Sequence, residues 1–319
     1  MCVLLSSVVS DWVEGAKISL VLQMPSKRAC HTCDCLVECF SEFHAGVTAN
    51  LRSNEQSKGV VTKAIEMAKK RQKTLGKKLC SESSLCFRPN VLWDFDVFDV
   101  HQCLGPDCLH VLDLGIFEWL LKFVYAELES LYDDEGKSAK LMITTRLAAM
   151  PYFPALVVFP NGIEKVGIEK KGKFQGAEYR NIMKQILAVL FDLVPAETVQ
   201  ALLCFLNFYE SAKAPWHTEE TLENLKQHTE SLFERMARFK KFSASELNFP
   251  KLHVTVHFDL FIRTFGRLGN LDAETFETFH HHRAQIPYEQ TNKQKGTLTQ
   301  QVTFFQKKRK ETINSKRSS

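Results

Sequence analysis

Apolar residues recur at helical spacing along much of the chain. The clearest pattern lies in 218–242, where Thr218 precedes two glutamates as a plausible N-cap residue. Comparable patterns predict helices over 112–131, 176–193 and 196–211. One stripe of the 218–242 helix is expected to be buried, comprising Leu222, Leu225, Thr229, Leu232, Met236 and Phe239. The pattern therefore predicts a mainly helical protein.

Strand signals are fewer and shorter. The apolar run 18–22 suits a buried strand, 156–159 suits a short one, and 252–258 fits either a strand or the start of a buried helix. The basic segment 53–78 predicts an exposed amphipathic helix that ends near Gly76. We therefore expect a mainly α fold with a small residual β-sheet.

Charge is concentrated at one end of the chain. The 41 basic and 37 acidic residues give a net charge of +4, but residues 291–319 alone carry +7. No apolar run approaches the length of a membrane span, and the N-terminus lacks the basic region of a signal peptide. Nine of the ten cysteines precede Asp113, which favours reduced thiols or a metal site over disulfides. We expect a nuclear or cytoplasmic protein that is not secreted.

A cysteine cluster is the first candidate for chemistry. Cys30 and Cys33 have the CxxC spacing that can present two thiolates to one zinc ion. Cys39 and His44 would complete a Cys-x2-Cys-x5-Cys-x4-His set, and Cys35 is another candidate. The alternative is a loop of reduced cysteines without metal, because one CxxC alone is a weak motif.

Two acid and histidine pairs are further candidates. Asp107 and His110 lie three residues apart at a predicted helix start and can share one face, although an N-capping Asp beside a core His gives the same pattern. Glu277 precedes His280 and His281 at helical spacing, and such a carboxylate suits Mg²⁺ in phosphoryl transfer. The alternative there is an ordinary amphipathic helix that buries its phenylalanines.

A basic tract lies near the C-terminus in a polar segment that we expect to be disordered. It can contact phosphates or act as a nuclear-import signal, although a solvated tail has the same composition. Its residues are Lys307, Lys308, Arg309 and Lys310.

The order of these motifs resembles that of CACTA-related, Plavaka-like DNA transposases. The resemblance runs over 18–293 as short blocks: CxxC, the Asp-x-x-His block from Asp107, Phe-Gln-Gly-Ala-Glu-Tyr ending at Tyr179, Phe-Pro-Lys-Leu-His with His257 following, and Glu-x-x-His from Glu277. It implies an RNase H-like α/β core interrupted by a helical insertion. It also implies that Glu277 is the terminal catalytic acid, that Asp107 and His110 form the family's Asp-x-x-His motif, and that Cys30 and Cys33 are its zinc-type pair.

The chain departs from that pattern at two acids. The family's first catalytic Asp has no counterpart in this sequence, and Gln23 occupies the place of the second, just ahead of Pro25. A neutral amide lacks the charge with which a carboxylate binds Mg²⁺. The resemblance therefore predicts a truncated, catalytically inactive transposase fragment that can retain DNA binding. It also predicts a structural zinc, and Mg²⁺ only if the chain were catalytically competent.

The expected organisation has five segments. A core strand with the cysteine loop (1–48) precedes a basic helix and connector (49–109), a helical insertion (110–248), a terminal core segment (249–290) and a basic tail (291–319). The expected partners are DNA and, in a homo-oligomer, further copies of the chain, but no membrane. Two alternatives are a zinc-stabilised helical interaction module without nucleic-acid activity, and a product that never folds stably.

Overall fold

The computed structural model describes residues 7–95, 98–132, 143, 145–151, 154, 175–274, 277, 279, 281–294 and 296–317. The chain divides into two compact units, Met1–Leu271 and Asp272–Ser319. The division falls inside the predicted terminal core segment. The predicted strand at 156–159 lies outside the described residues.

Helices make up most of the first unit, as the apolar pattern predicts. In its N-terminal part the helices are α1 (Trp12–Ser19), α2 (Phe43–Thr48), α3 (Asn54–Lys69), α4 (Lys73–Glu82) and α5 (Val100–Cys103). A π-helical segment (Leu109–Phe117) then leads into α6 (Glu118–Tyr132). After the undescribed segment come α7 (Gly176–Met183), α8 (Ile186–Leu190), α9 (Ala196–Ala212), α10 (Glu219–Met236), α11 (Pro250–His253) and α12 (Phe258–Phe265).

The sheet of the described residues consists of two very short strands. Strand β1 (Val8–Val9) pairs in parallel with β2 (Leu104–Gly105). The predicted strand over 18–22 is wrong for its first half, because α1 continues to Ser19 and ends in a left-handed Leu20. Only Val21 makes a bridge, to Leu85. The fold is thus mainly helical with a small sheet, while an RNase H-like core stays a prediction.

Helix α10 follows its predicted pattern closely. The Thr218 side chain accepts a hydrogen bond from the Thr221 amide at its N-terminus. All six predicted stripe residues, from Leu222 to Phe239, are buried. They pack into a large helical core in which the rings of Phe117 and Phe205 stack 5.7 Å apart. Burial of this stripe is the main force that holds the helix in place.

The basic segment forms a helical hairpin instead of the single predicted helix. Helix α3 ends at Lys69, Arg71 has a left-handed backbone, and α4 begins at Lys73. Gly76 does not end a helix: a Cβ atom there would lie 2.4 Å from the carbonyl oxygen of Ala64. The glycine therefore permits close packing of α4 against α3.

The second unit contains α13 (Ile286–Glu289) and α14 (Leu298–Arg317). The predicted disorder after residue 290 thus differs from the structure, which is helical over α14. Val302 and Phe305 are half-buried there, and Gln306 donates a hydrogen bond to the Arg283 carbonyl. Packing of these apolar side chains provides a reason for helix in a segment of polar composition.

Candidate metal centre

The CxxC turn is fixed by backbone pairing with a later segment. Cys33 forms an antiparallel bridge with Leu51. On either side, the Arg52 amide donates to Thr32 at 2.9 Å, and the Asp34 amide donates to Asn50 at 2.9 Å. These bonds hold the cysteine backbone next to the start of α3.

The buried guanidinium of Arg52 holds the same turn from inside. Its Nε donates to the carbonyl oxygens of Cys30 and Cys33, both at 2.9 Å. Its two terminal nitrogens donate to the carbonyls of Arg28 (2.9 Å) and Ser83 (3.1 Å). Only 6% of Arg52 is exposed, so this charge is solvated by backbone dipoles in place of water. Burial nonetheless lowers the pKa of Arg52 from its ordinary value.

Two histidines reach the cysteines from the other end of the first unit. Pro250 occupies the first turn of α11, where its missing N–H costs nothing, and a 3-10 turn (Val254–His257) follows directly. His253 and His257 are four residues apart in this helical segment and therefore share one face. Phe40 stacks on the His253 ring at 4.1 Å, which fixes the plane of that imidazole.

The four side chains form one buried Cys2His2 group. Cys33 Sγ lies 3.2 Å from His253 Nε2, and Cys30 Sγ lies 3.7 Å from His257 Nε2. All four ligand atoms are within 4.8 Å of one another, and none of the four residues is more than 5% exposed. Zn–S bonds of about 2.3 Å and Zn–N bonds of about 2.0 Å in a tetrahedron require ligand atoms about 3.5 Å apart. The group therefore fits zinc in both chemistry and spacing.

The electrostatics of the group favour metal-binding protonation states. Burial alone would raise the pKa of the Cys30 thiol, but hydrogen bonds with Cys33, His253 and His257 together hold that pKa well below its ordinary value. Sharing that hydrogen bond raises the pKa of Cys33. Burial lowers the pKa of His253, which keeps its imidazole neutral. One thiolate and a neutral imidazole are thus already favoured, and a cation is what would stabilise the second thiolate.

Part of the surrounding shell is organised by a histidine of α5. His101 Nδ1 donates to the His31 carbonyl at 2.8 Å, so its Nε2 accepts from Ser57 Oγ, also at 2.8 Å. Burial lowers the pKa of His101 to about 4. The neutral ring thereby links α3 and α5 to the middle of the CxxC turn. By contrast, Nδ1 of His253 is buried without a hydrogen-bond partner among the described residues.

The ligand set predicted from spacing is replaced in part. Cys30 and Cys33 are in the group, but Cys39 and His44 are not. Cys39 is half-buried in a 3-10 turn, and His44 is on the surface, with Nε2 3.4 Å from a Glu230 carboxylate oxygen. The 84% exposure of the His44 side chain excludes it from a buried centre. The signal that identifies the other two ligands is His253-x3-His257 itself, which has the i, i+4 spacing of a helical metal pair.

Asp107 and His110 do share one face, as their spacing predicts. Asp107 is 2% exposed; one carboxylate oxygen accepts from the Leu109 amide at 3.1 Å and the other contacts His110 Nδ1. The pair begins the π-helical segment and is outside the Cys2His2 group. This geometry is that of a helix-capping Asp with its neighbouring His, and it tests no catalytic role.

Glu277 and the basic tract belong to the second unit. Glu277 is exposed, and its amide donates to Ala273. Phe279 is 56% exposed, so the alternative in which this helix buries its phenylalanines does not hold for that residue. The side chains of His280 and His281 lie outside the described set, as do those of Lys308, Arg309 and Lys310, while Lys307 is exposed.

Comparison with protein-family models, with curated proteins and with solved structures finds no match. Within the described residues, no helix is long and apolar enough to cross a membrane. Among the described residues, the Cys2His2 group is the one cluster of three or more Cys, His, Asp or Glu side chains that has the spacing of a metal site. It is therefore the candidate functional site of this chain.

Proposed function

We propose that this chain is a zinc-stabilised, transposase-derived protein that retains DNA binding but lacks strand-transfer activity. The observation that carries the proposal is the Cys2His2 group, which unites the CxxC motif with the two histidines of the Phe-Pro-Lys-Leu-His block. These are two of the blocks on which the transposase resemblance rests. Their convergence supports a common origin with those transposases.

The proposed role of the zinc is structural. Four protein ligands complete a tetrahedral shell, which leaves no position for water or substrate. All four are buried, so a reactant has no route to the metal. The bound ion would supply a charge that holds both thiolates and would tie the N-terminal cysteine turn to the α11 segment.

The environment of Gln23 supports the lack of catalysis. Its Nε2 donates to the Val13 carbonyl at 3.3 Å. A carboxylate at this place could only accept, and it would face the carbonyl oxygen without a proton between them. The amide is thus suited to its local contact and unsuited to a two-metal site.

The buried carboxylates described in the first unit are also engaged. Arg180 pairs with Asp113 at 2.6 Å, and Arg238 pairs with Glu127 at 2.6 Å. Glu178 accepts from the Gln175 amide, and Asp107 has the contacts given above. Each acid has a structural partner in the positions observed.

Zinc stoichiometry tests the metal site. Purified protein is expected to contain one zinc per chain, and cobalt substitution should give the thiolate charge-transfer and d–d bands of a tetrahedral S2N2 site. His253→Ala and His257→Ala should lose the metal or these bands. His44→Ala is the matched control and should retain both; loss of zinc in His44→Ala with retention in His257→Ala would overturn the ligand set.

A nicking assay tests the absence of catalysis. Labelled DNA incubated with the zinc-loaded protein and Mg²⁺ or Mn²⁺ should stay intact, and Gln23→Asp should not create activity. Metal-dependent nicking that disappears in Glu277→Gln would contradict the proposal.

DNA retention separates this proposal from a module that never meets nucleic acid. Lysines and arginines that neutralise phosphates release counterions, so binding through the basic tract should weaken steeply with salt. Deleting residues 303–319 should remove the part of the binding that the tract provides. Protein that shows no salt-dependent retention would favour the interaction-module alternative, in which zinc is retained but DNA is not.

A further inference from the structure

The turn of the hairpin formed by α3 and α4 carries a surface dense in positive charge. Glu66 is the only acid between residues 56 and 81, whereas eight lysines and arginines lie in the same range. All eight are exposed. They are Lys58, Lys63, Lys69, Lys70, Arg71, Lys73, Lys77 and Lys78.

Most of these charges have no ion-pair partner among the described residues. Lys58 pairs with Asp94 at 3.2 Å. Lys78 acts at a distance on Glu82, whose pKa is lowered chiefly by its hydrogen bond with Lys27. The other six form no ion pair with any residue that the structure describes, so their charge faces solvent.

The arrangement is unfavourable at the start of α4. Helix α4 begins with Lys73, has no acid in its first turn, and receives no side-chain cap from Gln72. A cation near a helix N-terminus opposes the helix dipole, at a cost of about 0.3–1 kcal/mol. A sequence that breaks a local rule on a surface commonly does so for function.

The hairpin also presents these charges on a rigid support. Val61 and Ala64 of α3 and Cys80 of α4 are 1% exposed or less. Gly76 packs against the backbone of α3 at a distance that excludes even a methyl group. The backbone positions that carry the cations at the turn are therefore fixed relative to one another.

We propose that the turn of this hairpin binds the phosphate backbone of duplex DNA. This inference shares only the nucleic-acid partner with the proposed function and does not depend on zinc. Residues 63–78 contain no aromatic side chain on which unpaired bases could stack, which disfavours a single-strand site. The apolar residues Leu79 and Cys80 turn inward, and Leu75 is the single large exposed apolar residue of α4, so a membrane-binding face is lacking.

Fluorescence anisotropy of a labelled 20-base-pair duplex tests the proposal with the full-length, zinc-loaded chain. The hairpin variant replaces Lys69, Lys70, Lys73 and Lys77 with Gln and leaves Arg71, whose left-handed backbone is a separate constraint. The matched control replaces Lys307, Lys308, Arg309 and Lys310 with Gln, which removes the same charge. Thermal unfolding and zinc content should be unchanged in both variants.

The hairpin variant should bind at least about tenfold more weakly near 0.1 M salt, and its salt slope should fall by about 3–4 if all four residues contact phosphate. Wild-type affinity and slope in the hairpin variant would overturn the proposal. If the control variant alone loses binding, the hairpin inference fails while the basic-tract prediction stands. Equal or tighter hairpin-dependent binding to vesicles containing phosphatidylserine would assign the surface to a membrane and also overturn it.

Discussion

Removal of zinc should lower the stability of the first unit by an amount set by chain connectivity. The ligand pair Cys33 and His253 is separated by 220 positions. Closing a loop of that size with a cross-link removes unfolded-state entropy worth about 5 kcal/mol in the chain-entropy treatment of disulfides, and a metal clip acts in the same way. For a unit of this size, each kcal/mol of lost unfolding free energy lowers the melting temperature by about 2 °C. The expected fall in melting temperature is therefore about 10 °C.

Circular dichroism melts with and without a strong chelator measure this fall. The double variant Cys30→Ser/Cys33→Ser should melt at the chelated wild-type temperature and should be insensitive to chelator. The double variant Cys35→Ser/Cys39→Ser makes the same chemical change a few residues away and should keep the full response. If zinc is removed from the wild type, as shown by metal analysis, and the melting temperature moves by less than about 2 °C, the reasoning is refuted.

Three further predictions address the shell around the centre and the hairpin. Arg52→Met should lower the free energy of unfolding by about 3 kcal/mol or more, because two buried and two partly buried carbonyls lose their donor, and it should weaken zinc affinity by about 10- to 100-fold. Arg52→Lys should fall between Arg52→Met and wild type in denaturant melts and zinc competition. Gly76→Ala should be destabilising because the added Cβ would lie too close to the Ala64 carbonyl oxygen. Gly59→Ala in α3 meets no atom within 4 Å and should stabilise the protein by about 0.5–1 kcal/mol. Unfolding free energies that change in the same direction for both variants would contradict this reasoning. His101 is neutral in the folded protein, with a pKa of about 4, so its contribution to folding stability is present above about pH 6.5 and is lost as the pH falls toward 4. The unfolding free energy of wild type minus that of His101→Gln should therefore shrink by about 3 kcal/mol across that range. A difference that stays constant with pH would show that His101 does not titrate in this way.

Features encoded locally are the ones that the sequence predicts well. The stripe and N-cap of α10 depend on neighbours within a few turns, and helix α9 agrees with its predicted bounds to within one residue at its C-terminus. The run 18–22 is a segment whose local pattern does not decide its structure. A short apolar stretch suits a strand or a buried helix end, and tertiary packing, with Asp11 capping α1, decides for helix.

The metal centre is likewise not decided by its local pattern. Spacing alone selects ligands close in sequence, which leads from Cys30 and Cys33 to Cys39 and His44. The two histidines that meet the cysteines in the candidate centre come from a helical segment more than two hundred residues later, and only the fold brings that segment to the cysteine turn. The histidine pair has a recognisable spacing, but nothing in a single sequence states which cysteines it meets.

The distance along the chain between the two halves of the centre also constrains how the protein is made. At about 5–20 residues per second, the ribosome needs roughly 10–45 s to progress from the second cysteine to the first histidine. During that interval the nascent thiols of Cys30 and Cys33 lack the imidazoles of His253 and His257. The group can therefore form only after synthesis has passed His257: a polypeptide that stops before α11 lacks both imidazoles that would hold its cysteine turn.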